Sequence, residues 1–95
     1  MTTVIVNHQV ADVEAWQHVF DEHGAVRRSH GCSAEEVFLD AGNPNDVTIL
    51  MTYPSAAAAQ GFLDDPSLKE AMGRAGVQSA PAIRILEPAT ARISS

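Results

Sequence analysis

Apolar residues recur at every second position near the start of the chain, and then at every third or fourth. Over residues 3–10, Val4, Val6 and Val10 share one face with His8, the spacing of a half-buried strand. After Asp12 the period changes. Trp16, Phe20, His23 and Arg27 fall on one stripe of a helix predicted over residues 13–29. Asp12 is placed to cap it, Glu14 lies in its first turn, and Arg27, Arg28 and His30 crowd its last, as the helix dipole favours. Gly31 suits the left-handed position beyond the helix end. Residues 34–40 read as a second strand, the turn formers of 41–45 as a hairpin loop, and 47–53 as a third strand. Pro54 ends that strand and Ser55 caps a second helix, which should break at Asp64-Asp65-Pro66. There Asp65 caps a new piece with Pro66 at its first position, carrying Leu68, Ala71, Met72 and Ala75 on one stripe and stopping at Gly76. Residues 82–87 form a fourth strand, closed by Pro88, and 89–95 read as a loose tail.

The order strand-helix-strand-strand-helix-strand is the split βαβ pattern. It predicts a ferredoxin-like α+β fold (βαββαβ): one antiparallel sheet with the helices on one face. A single domain over residues 1–88 with a C-terminal tail over 89–95 accounts for the chain. The first and third strands are apolar on both faces, as Val4-Ile5-Val6 and Ile49-Leu50-Met51 show. Helices cover one face only, so Ile5 and Leu50 would be left on an open apolar surface. A homodimer with its sheets face to face is the expected remedy.

Composition narrows the function. Six Lys and Arg against twelve Asp and Glu give a net charge of −6, which disfavours nucleic acid and anionic membranes as partners. A single cysteine, Cys32, permits no intrachain disulfide and suits a reducing cytoplasm. No apolar run approaches the ~18 residues of a membrane span, and the first residues lack the basic and apolar regions of a signal peptide. A cytoplasmic location is expected. No Gly-rich phosphate loop of the G-x-G-x-x-G kind is present, and no cofactor is expected.

The chemistry concentrates on two imidazoles. If the Val4/Val6 face packs on the Trp16/Phe20 stripe, His8 and His23 point into one interior, and both are the candidate catalytic residues. Burial disfavours the charged imidazolium and keeps the ring neutral, as a general base requires. Trp16, Phe20, Phe62 and Met72 are candidate walls for a substrate. Arg27 is expected to reach out to solvent; the alternative is that it anchors a carboxylate or phenolate inside the pocket. His18 and His30 are expected to be exposed, with His30 serving the helix dipole. A metal on His8 and His23 is a further alternative, but two histidines need a third ligand, and Asp21 and Glu22 project elsewhere around the helix.

The run V-x-H-x-V-x-D-x-x-x-W-x-x-x-F-D-x-H over residues 6–23 is followed by Arg27, Arg28 and Gly31, then by P-N-D-V at 44–47 and L-K-E-A-M-G-R-A-G-V at 68–77. Together these resemble small actinobacterial members of the dimeric α/β-barrel superfamily, grouped with antibiotic biosynthesis monooxygenase-like proteins and small polyketide cyclases. The resemblance spans about residues 4–87. It implies a pocket between helices and sheet in each subunit, and a barrel at the dimer interface. Haem-degrading members use a first-strand Asn, a Trp and a second-helix His. Here Asn7 shares a face with Ile5 rather than His8, and residues 55–76 contain neither Trp nor His, so haem degradation does not fit. Cofactor-free oxygenases of the group use Asn, Trp, Tyr and Arg, for which this chain offers Asn45, Trp16, Tyr53 and Arg27 by type. The expected function is a cofactor-free monooxygenase or cyclase acting on an aromatic or polyketide-like small molecule. A non-catalytic small-molecule binder or stress-associated protein on the same fold stands as the alternative.

Overall fold

The computed structural model describes residues 1–89. Eight elements follow in order: β1 (Thr2–Gln9), α1 (Val13–Glu22), α2 (Gly24–Ser29), β2 (Ala34–Asp40), β3 (Asn43–Tyr53), α3 (Ala56–Leu63), α4 (Pro66–Arg74) and β4 (Ala82–Leu86). The four strands form one antiparallel sheet in the order β2-β3-β1-β4, the ferredoxin-like α+β architecture.

The alternation read from β1 sets the layers. Val4, Val6 and His8 are buried under the helices and pair with Met51, Ile49 and Val47 of β3, which are buried too. On the other side Val4 and Val6 face Ile85 and Ile83 of β4. Trp16, Ala59, Phe62 and Ala75 complete the core from the helical layer. Each buried valine contributes about 1.5–3 kcal/mol relative to exposure. The opposite face carries the row Glu36, Leu50, Ile5, Arg84 across the four strands, with Ile5 and Leu50 half-buried and Phe38 of the next row 47% exposed.

The caps fall where the residue types place them. Asp12 accepts from the Glu14 N–H, Ser55 from Ala58 and Asp65 from Ser67, at 2.9–3.1 Å. Pro66 opens α4, where its missing N–H costs nothing. Gly31 has φ +100°, a conformation in which a side chain would be strained and would press on Pro54.

Two elements depart from the sequence reading. The helix expected over 13–29 is broken at His23, with φ −85° and ψ 2°. The His23 N–H is shared between the carbonyls of Val19 and Phe20 at 3.0 and 3.2 Å. The Arg27 Nη1 group donates to the same Phe20 carbonyl at 2.8 Å. Apolar periodicity passes unbroken through 23, but Gly24, a poor helix former, follows directly, and the Arg27–Phe20 bond spans the break. The third strand starts at Asn43 rather than 47, because the hairpin turn is only Ala41-Gly42 with a register shift between Leu39 and Asp40. Of the tail expected over 89–95, residues 90–95 lie outside the described residues.

Candidate active site

A cavity lies between the helices and the inner face of the sheet. Its core holds about 60 Å³, within about 540 Å³ of empty space counted out to open solvent. Val6, His8, Ile49 and Met51 floor it, and every residue expected at the site from sequence lines it: His8, Trp16, Phe20, His23, Arg27, Phe62 and Met72.

His8 comes from the sheet. It is 4% exposed, and neither ring nitrogen has a hydrogen-bond partner among the described residues. A buried polar group in that state costs about 1–3 kcal/mol. Burial lowers its pKa, only partly offset by the negative charge of Asp46. The ring meets the edge of Trp16 at a 5.9 Å centroid distance and 75° between planes. Trp16 stacks on Phe20 at 4.9 Å, and the Arg27 guanidinium lies 3.7 Å from the centroid of the Phe20 ring. One continuous wall therefore runs from Arg27 through two aromatic rings to His8, built from the helical stripe and the strand beneath it.

His23 comes from the helix break. Its Nε2 lies 2.9 Å from the Ser67 hydroxyl, and its ring packs on Phe62 at 5.8 Å. Burial is the main cause lowering its pKa; Arg27 and Arg74 act in the same direction and Asp65 against it. Both imidazoles are thus biased to the neutral form.

Arg27 overturns the expectation of a solvent-reaching side chain. It is 3% exposed and bound to both carboxylate oxygens of Glu35, at 3.0 and 2.8 Å. Glu35 was not anticipated, although β2 alternation puts it on the inner face with Val37, where a carboxylate demands a buried cation. With three of its five N–H groups engaged on Glu35 and Phe20, Arg27 is held as part of the cavity wall. His30 is not simply exposed either: its Nε2 lies 2.8 Å from Asp65, across the helical layer. Of the counterparts offered by type, Trp16 and Arg27 line the cavity and Tyr53 and Asn45 do not. Tyr53 is fully buried with its hydroxyl on the Met51 sulfur at 3.7 Å, and Asn45 belongs to the hairpin end of β3. Asn7 faces away from the cavity and donates to Asp46 and Thr48, as alternation requires. Among the described residues no three His, Cys, Asp or Glu side chains cluster to hold a metal ion.

No protein-family model matches the chain, and no curated protein matches it at a significant level. Solved structures do match. The cofactor-independent oxygenase SnoaB from Streptomyces nogalater superposes with a TM-score of 0.78 at 11% identity, over 98% of this chain and 97% of its own. An antibiotic biosynthesis monooxygenase superposes at 0.66 with 16% identity, over 95% and 100% of the two chains. A protein of Caulobacter crescentus CB15, provisionally assigned to the same class, superposes at 0.75 with 19% identity over 94% and 90%. The fold is that of the antibiotic biosynthesis monooxygenase-like proteins, as the sequence resemblance implied. At these identities the likeness concerns backbone architecture, and chemistry has to be argued from side chains. No helix among the described residues is long and apolar enough to cross a membrane.

Proposed function

We propose that this protein is a small cofactor-free enzyme that removes a proton from an aromatic or polyketide-like substrate, as a monooxygenase or a cyclase. The observation that carries the reading is His8: an imidazole that burial biases to the neutral form, set among apolar side chains at the floor of a cavity, with both nitrogens unpartnered among the described residues. A bound hydroxyl or an acidic C–H supplies the missing partner. His8 takes the proton, and the apolar cavity holds the resulting enolate or phenolate next to Trp16. In a monooxygenase the carbanion then passes its electrons to dioxygen and bonds it as a hydroperoxide, which loses water to leave a new carbonyl, so the substrate supplies all the electrons. In a cyclase the carbanion adds to a carbonyl of the same molecule, whose oxygen takes up the proton. His23 assists by proton transfer or hydrogen bonding.

The cavity core is well below the roughly 300–1,000 Å³ of typical ligand sites, so an aromatic substrate requires side-chain movement. The half-buried Phe20, Leu63, Leu68 and Met72 form the movable side, and Met adapts most readily. The same reading includes a homodimer in which Ile5, Leu50 and Phe38 of two sheets cover each other. Light scattering at micromolar concentration tests it, and a particle of the chain's own 10.1 kDa would refute it.

The activity is tested with hydroxylated aromatic ketones, following oxygen uptake and product mass. Oxygen uptake identifies a monooxygenase; an isomer or dehydrated product without uptake identifies a cyclase. His8→Ala should lower turnover by about 100-fold or more, the usual weight of a general base, while leaving the fold intact. Full activity in that variant ends the mechanism. A ligand bound tightly and recovered unchanged makes the protein a non-catalytic binder.

A further inference from the structure

The hydrogen-bonded chain behind His23 has a direction. Ser67 Oγ donates to Asp65 Oδ1 at 2.8 Å, and the Ser67 backbone N–H donates to the same oxygen at 2.9 Å. Asp65 Oδ2 is held by His30 Nε2 at 2.8 Å. These bonds, His30 first, keep the Asp65 carboxyl ionised with a pKa of about 2. An ionised carboxylate only accepts. Ser67 has one hydroxyl proton, and it is committed to Asp65. Its oxygen can then only accept from the ring nitrogen 2.9 Å away, which puts the proton of neutral His23 on Nε2. Turning the ring over would place a carbon against Ser67 and lose the bond, so the ring orientation is fixed with the proton.

We infer that Ser67, oriented by Asp65, is a positioning residue that holds His23 in the tautomer with hydrogen on Nε2 and leaves Nδ1 as its basic nitrogen. His23 Nδ1 makes no hydrogen bond to the protein among the described residues, and the ring lines the cavity. The catalytic meaning of this arrangement rests on the proposed role of His23 in proton transfer. In that role a substrate proton adds to Nδ1, no other proton needs to move, and the Nε2–H bond to Ser67 strengthens on the charged ring, with the Asp65 carboxylate behind it. The charged groups facing His23 are Arg27 of α2, Asp65 at the head of α4 and Arg74 at its end. Only Asp65 favours the imidazolium, and it reaches the ring through Ser67.

Nitrogen-15 NMR of histidine-labelled protein at about pH 8, well above the ordinary imidazole pKa, reads the tautomer directly. The wild type should show a protonated-type Nε2 and an unprotonated-type Nδ1 for His23. Ser67→Ala should change the ratio of the two tautomers by about fivefold or more, the worth of one hydrogen bond, and Ser67→Thr should restore it. An Nδ1–H tautomer in the wild type overturns the inference, as does a His23 signal unmoved in a folded Ser67→Ala variant. If that variant fails to fold, the wild-type spectrum decides alone. The readout needs no turnover. An Nε2–H ring in a protein without activity would leave the positioning intact and refute the proposed function; an active protein with an Nδ1–H ring would do the reverse.

Discussion

On the sheet side of the cavity, His8 has both ring nitrogens buried and without partners among the described residues. On the helix side, His23 is tied through Ser67 and Asp65 to His30, and the neighbouring Arg27 is closed on Glu35 and the Phe20 carbonyl. The two imidazoles face one apolar space and are held in opposite ways. The helical layer contains polar side chains that bond to one another, so they tie the break between α1 and α2 to the head of α4 and to β2 and fix its geometry. The strand holds an imidazole that the fold leaves unsatisfied. Stability alone explains the first arrangement. It does not explain the second, and an unsatisfied buried group in a cavity marks a place where a water or a ligand completes the hydrogen bonding.

The contrast is tested most severely by opening the closed network. Glu35→Ala strips the bidentate partner from a guanidinium that is 3% exposed, leaving only the Phe20 carbonyl. Breaking a buried ion pair costs about 3–5 kcal/mol, and the lower end applies because the Glu35 side chain is 29% exposed. Denaturant unfolding should show a loss of about 3 kcal/mol. The double replacement Arg27→Met with Glu35→Leu should recover most of it, since neither charge is then buried alone. A loss below about 1 kcal/mol for Glu35→Ala would mean that the helical seam does not depend on this network.

Replacing each histidine by leucine should move stability in opposite directions. His8→Leu removes the desolvation cost of an unpartnered group and keeps an apolar side chain against Trp16, so it should stabilise by about 1 kcal/mol while abolishing turnover. His23→Leu gives up the bond to Ser67 and should destabilise by about 0.5–1.5 kcal/mol. Thermal unfolding of the two variants checks the signs. A destabilised His8→Leu would show that the imidazole is already satisfied in solution, and the argument for a ligand partner would fall.

Much of this was legible in the chain, and most of the exceptions are side-chain bonds that spacing does not reveal. Period-two and helical spacing placed Val4, Val6, His8, Trp16 and Phe20 on facing surfaces, and the cavity followed. Capping chemistry located Asp12, Ser55 and Asp65, because a cap is a local bond between near neighbours. What stayed hidden were side-chain bonds that join one element to another. The break at 23 has one local signal, Gly24, a poor helix former inside an otherwise helical pattern, whereas the closure of Arg27 on the Phe20 carbonyl and Glu35 across it cannot be read from spacing. Ser67 reads as an ordinary first-turn serine; its link to His23 spans 44 positions. Arg27 on the apolar stripe and Glu35 on the inner face of β2 were both visible as charges out of place. Pairing them would have corrected the expectation that Arg27 reaches solvent.

The smallest expected effect is the pH dependence of stability, and it separates the two sides once more. Both histidines have pKa values lowered from 6.5 by burial. Each therefore binds a proton more readily in the unfolded chain. Their contribution is fully present above the unfolded value and is lost as pH falls below about 6.5 towards the folded pKa. Asp65, lowered from 3.8 to about 2, adds a loss of the same sign in a separate and more acidic window. Stability should thus fall on acidification in two steps. His8→Leu should flatten part of the first step and leave the second unchanged. Ser67→Ala should weaken the second, because two of the three bonds that keep Asp65 ionised come from Ser67 and the side-chain one is removed. Urea titrations at about one-unit pH intervals resolve the steps. A first step of full height in His8→Leu would show that the imidazole titrates alike in folded and unfolded chains, and is therefore open to water rather than held neutral on the cavity floor.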